Sequence, residues 1–204
     1  MTVQPPGYNQ FPIWSPNYQD RAGTPVDLFL LHTEEAGGGD SAAQDLANFL
    51  ADPNSGVSYH FTISEASDGG VTVVECVDPK VASWSVLDAN DRSINLCFAG
   101  SYLEWDRSQW LQQANAIDVA AYLAVQYCQE YGISTLCVPY PYTTGTPGIS
   151  DHHYVTDILQ DGTHVDVGTN FPWDFFSAAV AKYSAPQSVP DPDLPISLAL
   201  GQLW

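Results

Sequence analysis

The chain has few basic residues. Lys and Arg together number 5, against 24 Asp and Glu, which gives a formal net charge of -19 over 204 residues. A surface of this sign repels phosphate backbones and anionic lipid headgroups. The imbalance therefore argues against nucleic acids and membranes as partners.

The chain also lacks a long hydrophobic run. No segment approaches the run of about 18 apolar residues that crosses a bilayer. Residues 1–20 are rich in polar side chains and proline, whereas a secretory signal peptide needs a basic start and an apolar core. We therefore expect a soluble monomer that accumulates in the cytoplasm where it is made.

Paired cysteine motifs are missing as well. The four cysteines, at positions 76, 97, 128 and 137, contain no Cys-x-x-Cys pair, so neither a zinc knuckle nor a thioredoxin-like motif is indicated. Free thiols are favoured over disulfides for a protein without a signal peptide. A bound metal would then be held by histidine and carboxylate.

The remaining composition is that of one globular domain, with 45% apolar and 14% charged side chains. We expect a domain over residues 1–183, whose first 23 residues wrap the surface without regular structure, and a Pro-rich linker or tail over 184–204. Short apolar strands at 26–31, 57–64, 71–77 and 93–98 alternate with helical patterns, of which the longest spans about 106–131. This order predicts an α/β layered domain.

Three residues at predicted strand ends and turns suggest a metal site. His32 ends the first apolar strand, His152 opens a later segment, and Asp166 lies in a turn that contains glycine. Two imidazoles and a carboxylate are sufficient for a catalytic zinc, which keeps its fourth position for water. Spacing alone leaves the alternative that each histidine is structural.

Five blocks in order carry a family resemblance. They are Leu30–Thr33 (LLHT), Ser58–Phe61 (SYHF), Arg92–Leu96 (RSINL), Asp151-His152, and His164–Gly168 (HVDVG) with Phe171–Trp173 (FPW). Together they resemble the zinc-dependent type 2 N-acetylmuramoyl-L-alanine amidases, which include phage endolysins and peptidoglycan recognition proteins. The resemblance covers about residues 24 to 180, and it implies a single mixed central β-sheet flanked by helices.

The resemblance also implies a site. Zn²⁺ would be bound by His32, His152 and Asp166, with His153 as the rival for the second ligand because the two histidines are adjacent. Tyr59 matches the family's catalytic tyrosine. His164 stands two residues before the metal-binding Asp, where the family often has lysine, and is the second catalytic candidate.

Two positions depart from the family pattern. Cys97 stands where some members carry a glutamate in the strand, so Glu34 or Glu35 is a candidate to reach the site instead, with a solvated loop as the alternative for this pair. Trp84-Ser85 replaces a Trp-His pair. Trp84 is then either a wall of the substrate groove or a core residue.

The function expected from the resemblance is that of a phage endolysin. Such an enzyme cleaves the amide between N-acetylmuramic acid and L-alanine of peptidoglycan and lyses the host, after a membrane pore has released it from the host cytoplasm to the cell wall. The alternatives are a non-catalytic module that binds peptidoglycan, and a soluble interaction domain whose histidines are structural.

Overall fold

A computed structural model describes residues 3–142 and 148–185. The predicted tail over 184–204 lies outside the described residues from position 186 onward. The boundary between domain and tail therefore stays a prediction.

The centre of the molecule is a six-stranded mixed sheet. Its strands are Asn9–Pro12 (β1), Leu28–Thr33 (β3), Phe61–Glu65 (β4), Val71–Glu75 (β5), Ser93–Phe98 (β7) and Ile149–Asp151 (β8), in the spatial order β1-β5-β4-β7-β3-β8. Only the β4–β5 hairpin is antiparallel in this sheet as described. Tyr18–Gln19 (β2) and Ala82–Ser83 (β6) form a separate two-stranded ladder.

Five α-helices accompany the strands in the described part of the chain. They are Ala42–Leu50 (α1), Arg107–Trp110 (α2), Ala114–Tyr131 (α3), His152–Asp157 (α4) and Trp173–Ser184 (α5). Short 3₁₀ helices cover Leu87–Arg92 and Leu111–Gln113. The mixed sheet with flanking helices confirms the predicted fold class.

The N-terminal segment corrects one expectation. Residues 1–23 were expected to contain no regular structure, but β1 pairs in parallel with β5 at the edge of the sheet. Without β1, β5 would be an edge strand with unpaired backbone groups. β1 pairs with those groups. After β1, Ser15 and Asn17 are buried, and both donate to the carbonyl of Leu50.

The long helix is not continuous, which is a second correction. Asp106 begins α2 with a capping box, but the 3₁₀ turn over Leu111–Gln113 separates α2 from α3. The carboxylate of Glu65 accepts the backbone N–H groups of Asn115 and Ala116 at 2.8 and 3.1 Å. In an uninterrupted helix these donors would bond to carbonyls of the preceding turn, so Glu65 acts as the cap of a second helix start.

The two faces of the sheet have different roles. Because side chains alternate along a strand, Phe29 and Leu31 of β3 point into the main core with α3 and α5. His32 therefore points to the other face, where Cys97 packs with α1. Every residue of β3 is buried, so His32 is held inside the molecule by strands on both sides.

The thiols are free, as favoured from the sequence. All four cysteines lie within the described residues and none forms a disulfide. Among residues 3–142 and 148–185, no helix combines the length and apolar character needed to span a bilayer.

We predict that Trp110→Ala destabilises the domain by about 3–5 kcal/mol, the usual cost of truncating a fully buried aromatic side chain. Trp110 has no exposed surface, and its ring lies 5.5 Å from that of Phe98 and 4.9 Å from that of Phe171. Urea unfolding measures the loss. Leu111→Ala is the matched control, because Leu111 is 37% exposed and should cost less than about 1 kcal/mol. Equal losses in the two variants would contradict this account of the core.

Candidate metal centre

Three of the predicted residues meet in one buried cluster. One ligand atom each from His32, His152 and Asp166 lie within 4.8 Å of one another. Nδ1 of His32 is 3.2 Å from Oδ2 of Asp166, and Nδ1 of His152 is 3.4 Å from Oδ1 of the same carboxylate. The structure thus brings His32 together with two residues that lie more than a hundred positions further along the sequence.

The sheet and two local devices position this cluster. β8 pairs with β3, and the chain leaves β8 directly into α4, whose first residue is His152. Asp151 caps α4 by accepting the backbone N–H of Tyr154 at 3.1 Å. Asp166 stands two residues before Gly168, which has a φ of +85° and where a Cβ would lie 2.6 Å from the carbonyl oxygen of Leu103. Only glycine fits this turn.

His153 points away from the cluster. Its Nε2 lies 3.2 Å from the carboxylate of Asp157, and its ring stacks on Tyr140 at 5.1 Å. Adjacent residues in a helix project about 100° apart, so only one of the two histidines faces His32. The structure places His152 there.

The electrostatics of the cluster suit a cation. Burial alone would raise the pKa of Asp166, but the close contacts with the imidazoles of His32 and His152 hold it well below its usual range, so the carboxylate is ionised. Burial lowers the pKa of His152, against the opposing effect of Asp166. A neutral imidazole keeps a lone pair, which metal binding requires.

The residues also fit zinc by their donor types and spacing. Nδ1 of His32 is buried without a hydrogen-bond partner among the described residues, because its approach to Asp166 lacks hydrogen-bond geometry. Ligands around a tetrahedral zinc are separated by about 3.3 Å, given bond lengths near 2.0 Å. The two contacts to Asp166, one through each carboxylate oxygen, are close to this separation, and one ligand atom from each residue lies within 4.8 Å of the others. Two nitrogens with one carboxylate match the ligands of catalytic zinc sites.

Tyr59 and His164 border the cluster. The ring of Tyr59 lies 4.9 Å from that of His32 and is partly exposed. Burial raises the pKa of Tyr59 well above its usual value, with a further rise from the neighbouring Cys97 and Asp166, so its phenol is protonated. The ring of His164 stacks on His152 at 4.5 Å, and its side chain is 67% exposed. Both groups thus combine contact with the cluster and access to solvent.

The position of the missing glutamate is occupied by a neutral thiol. Cys97 lies opposite His32 in the parallel register of β3 and β7, and burial raises its pKa well above the usual value. Of the two candidate replacements, Glu34 accepts the N–H of Gly100 at 2.5 Å, and its charge acts on both Cys97 and Tyr59. Glu35 is exposed and instead accepts the N–H of Leu103 at 2.8 Å. Glu34 is therefore the member of the pair that faces this side of the sheet.

Trp84 is partly buried, and its indole N–H has no hydrogen-bond partner within the described chain. Its backbone N–H donates to the hydroxyl of Ser58, next to Tyr59. A cleft of about 670 Å³ lies elsewhere, around Gly39, Ser67 and Gly100. The described residues that line it include none of the three cluster residues.

Sequence reasoning missed the polar side chains behind His32. Asn95 lies within a strand that is otherwise apolar, and it hydrogen-bonds His32 and the hydroxyls of Ser83 and Ser93. His60, whose Nδ1 accepts the backbone N–H of Asn95, and Arg21, whose buried guanidinium donates to the carbonyl of Ser93, extend this group. A polar residue inside a buried strand is a signal in itself, because it needs a partner there.

Comparison with known families agrees with this geometry. A family model described as N-acetylmuramoyl-L-alanine amidase matches residues 22–168, which is more than half of the chain. The protein therefore belongs to the type 2 N-acetylmuramoyl-L-alanine amidase family, as the five sequence blocks predicted. No curated protein matches the chain.

Solved structures show the same fold at low sequence identity. The Staphylococcus aureus hydrolase AmiA, solved with its ligand, has a TM-score of 0.65 and 18% identity, over 89% of this chain and 85% of that one. A mutant endolysin from Bacillus subtilis has a TM-score of 0.58 and 18% identity, over 85% and 99%. The endolysin N-acetylmuramoyl-L-alanine amidase LysCS from Clostridium intestinale has a TM-score of 0.56 and 16% identity, over 87% and 97%.

We predict that the protein binds one zinc ion and that His152→Ala lowers its zinc affinity by at least about 100-fold, since a ligand is lost. His153→Ala is the matched control, because its ring faces Asp157, and it should leave the affinity within about threefold. Competition with a chromophoric chelator measures both. Loss of zinc in His153→Ala with retention in His152→Ala would reverse the assignment.

Proposed function

We propose that the protein is a zinc-dependent hydrolase of peptidoglycan that cleaves the amide between N-acetylmuramic acid and L-alanine. The observation that carries the proposal is the complete cluster of His32, His152 and Asp166, in which the buried Nδ1 of His32 has no hydrogen-bond partner among the described residues. A zinc ion held there would supply a bound water with a pKa near 7 and would polarise the substrate carbonyl.

The side chains around the cluster match the remaining needs of amide hydrolysis. The negative oxygen that develops on the attacked carbonyl needs hydrogen-bond donors. The phenol of Tyr59 is protonated and partly exposed, and the imidazole of His164 lies on the solvent side of His152. We assign both groups to donation toward that oxygen. With Cys97 neutral, Tyr59 also takes part in transferring the proton to the leaving amine.

A recognition module that binds peptidoglycan without cutting it is the second candidate. It requires no metal ligands, whereas this protein buries three of them in one cluster with an ionised carboxylate, an arrangement that costs free energy without a bound cation. The complete set therefore favours the enzyme.

We further propose that the enzyme acts as an endolysin. Two of the similar structures are described as endolysins, and the net charge of -19 suits a protein that stays dissolved until it reaches its substrate. Expression in the cytoplasm of a susceptible bacterium should then leave cells intact until a pore-forming protein or chloroform opens the membrane. Lysis before permeabilisation, or none after it, would argue against this role.

We predict that the protein releases new alanine N-termini from purified peptidoglycan, that chelation stops the release, and that added zinc restores it. Labelling of free amino groups followed by hydrolysis measures the product. A folded, zinc-loaded protein that binds peptidoglycan but releases no alanine would instead identify the recognition module.

We predict that His164→Ala slows alanine release by about 100- to 1,000-fold, the usual cost of losing one oxyanion donor, while one zinc ion stays bound. His153→Ala again serves as control, since it removes an imidazole that faces away from the cluster. Loss of zinc in His164→Ala would make His164 a ligand rather than a donor.

A further inference from the structure

The far side of the His32 ring contacts a single amide group. Nε2 of His32 lies 2.9 Å from Oδ1 of Asn95, and both side chains are fully buried. An amide oxygen only accepts hydrogen bonds, whereas an amide nitrogen only donates them. The direction in which the amide of Asn95 faces therefore decides which nitrogen of His32 carries the proton.

A chain of serine hydroxyls fixes that direction. The hydroxyl of Ser85 donates to the backbone carbonyl of Ser58 at 2.6 Å, and a carbonyl can only accept. Ser85 has thereby used its one proton. Toward Ser83, whose hydroxyl lies 2.7 Å away, Ser85 can act only as an acceptor.

The other neighbour of Ser83 is also an acceptor. Nδ1 of His60 lies 3.1 Å from the hydroxyl of Ser83 and already accepts the backbone N–H of Asn95 at 2.9 Å, so it bears no proton. The proton of His60 is on Nε2, which donates to the carbonyl of Val81 at 3.0 Å. If Ser83 gave its one proton to Asn95, its oxygen would face the oxygen of Ser85 and Nδ1 of His60 with no proton between them. Ser83 therefore donates to Ser85 or to His60, and its oxygen accepts from Asn95.

We propose that Asn95 is a positioning residue that sets the tautomer of His32. Its Nδ2 donates to Ser83 at 3.1 Å, so its Oδ1 faces His32 and accepts the proton of Nε2. Nδ1 of His32 is then bare and directed at Asp166, where a metal needs a lone pair. This inference rests on the proposed metal centre. It states that the hydrogen bonds that start at the backbone carbonyl of Ser58 set the protonation of one metal ligand.

The reversed amide shows why the orientation matters. With Nδ2 toward His32, the proton of the ring would move to Nδ1 and point into the cluster. A zinc ion would then have to displace that proton and break the hydrogen bond. The serines exclude the reversed amide before a metal binds. Loss of residues that hydrogen-bond a metal ligand commonly lowers metal affinity by about 10- to 100-fold.

The test uses two hydroxyls that bind the same amide. Both Ser83 and Ser93 accept from Nδ2 of Asn95, at 3.1 and 2.9 Å, but only Ser83 belongs to the serine chain. We expect Ser83→Ala to lower the zinc affinity of the metal-free protein by about tenfold and Ser93→Ala to leave it within about threefold. Competition with a chromophoric chelator gives the affinities, and thermal unfolding shows that the variants are folded.

Substitutions of Asn95 itself separate positioning from packing. Asn95→Leu removes the acceptor and should lower zinc affinity by about 10- to 100-fold. Asn95→Asp keeps an oxygen opposite Nε2 of His32 and should restore the affinity. Should Asn95→Leu fail to fold, Asn95→Asp and the two serine variants still decide the question. Equal effects of the two serine variants, or a folded Asn95→Leu with unchanged affinity, would overturn the inference.

The tautomer can be observed directly without activity. Long-range ¹H–¹⁵N spectra of the metal-free protein should show His32 protonated on Nε2, and a proton on Nδ1 would overturn the proposal. A protein that binds no zinc would overturn both the metal centre and this inference. Zinc binding with the expected variant pattern but no alanine release would overturn only the proposed amidase activity.

Discussion

A bare nitrogen on a buried imidazole is the feature on which the rest of the site depends. A polar atom removed from water costs free energy unless it has a partner, and Nδ1 of His32 has none among the described residues. β3 has strands on both sides, so His32 cannot turn toward solvent. A cation at this point would give the nitrogen a partner. Both strands next to β3 place a residue beside the His32 ring. β7 provides Asn95 behind the ring, and β8 leads into α4 with His152 in front.

The negative charge of the protein has opposite effects on a metal cation and on an anionic polymer. The cluster combines an ionised Asp166 with the neutral His152, so it attracts a divalent cation, and the net charge of -19 adds to that attraction. The same surface repels anionic polymers. Productive contact with substrate therefore depends on short-range hydrogen bonds and packing at the site rather than on long-range steering.

The sequence predicted those parts of the molecule that depend on local pattern. The strand that ends in His32 and the turn that holds Asp166 were found from apolar runs and glycine. The spacing of residues could not decide whether His152 or His153 faces His32, because the answer depends on where the Asp151 cap starts the helix. The interrupted helix depends on Glu65, 50 residues before Asn115. Asn95 was missed for the same reason, since its partner His32 is 63 positions away.

A neutral side chain at position 97 is consistent with the same constraint. An ionised side chain on β7 opposite His32 would add a second buried negative charge beside Asp166, and like charges in a buried site raise each other's pKa. The thiol of Cys97 is neutral and packs with α1. The carboxylate whose charge acts on Tyr59 comes instead from Glu34, in the half-buried loop after β3, where the N–H of Gly100 binds it. The negative charge on this side therefore lies at the end of the sheet, where burial raises the pKa of Glu34 and the hydrogen bond from Gly100 opposes that rise.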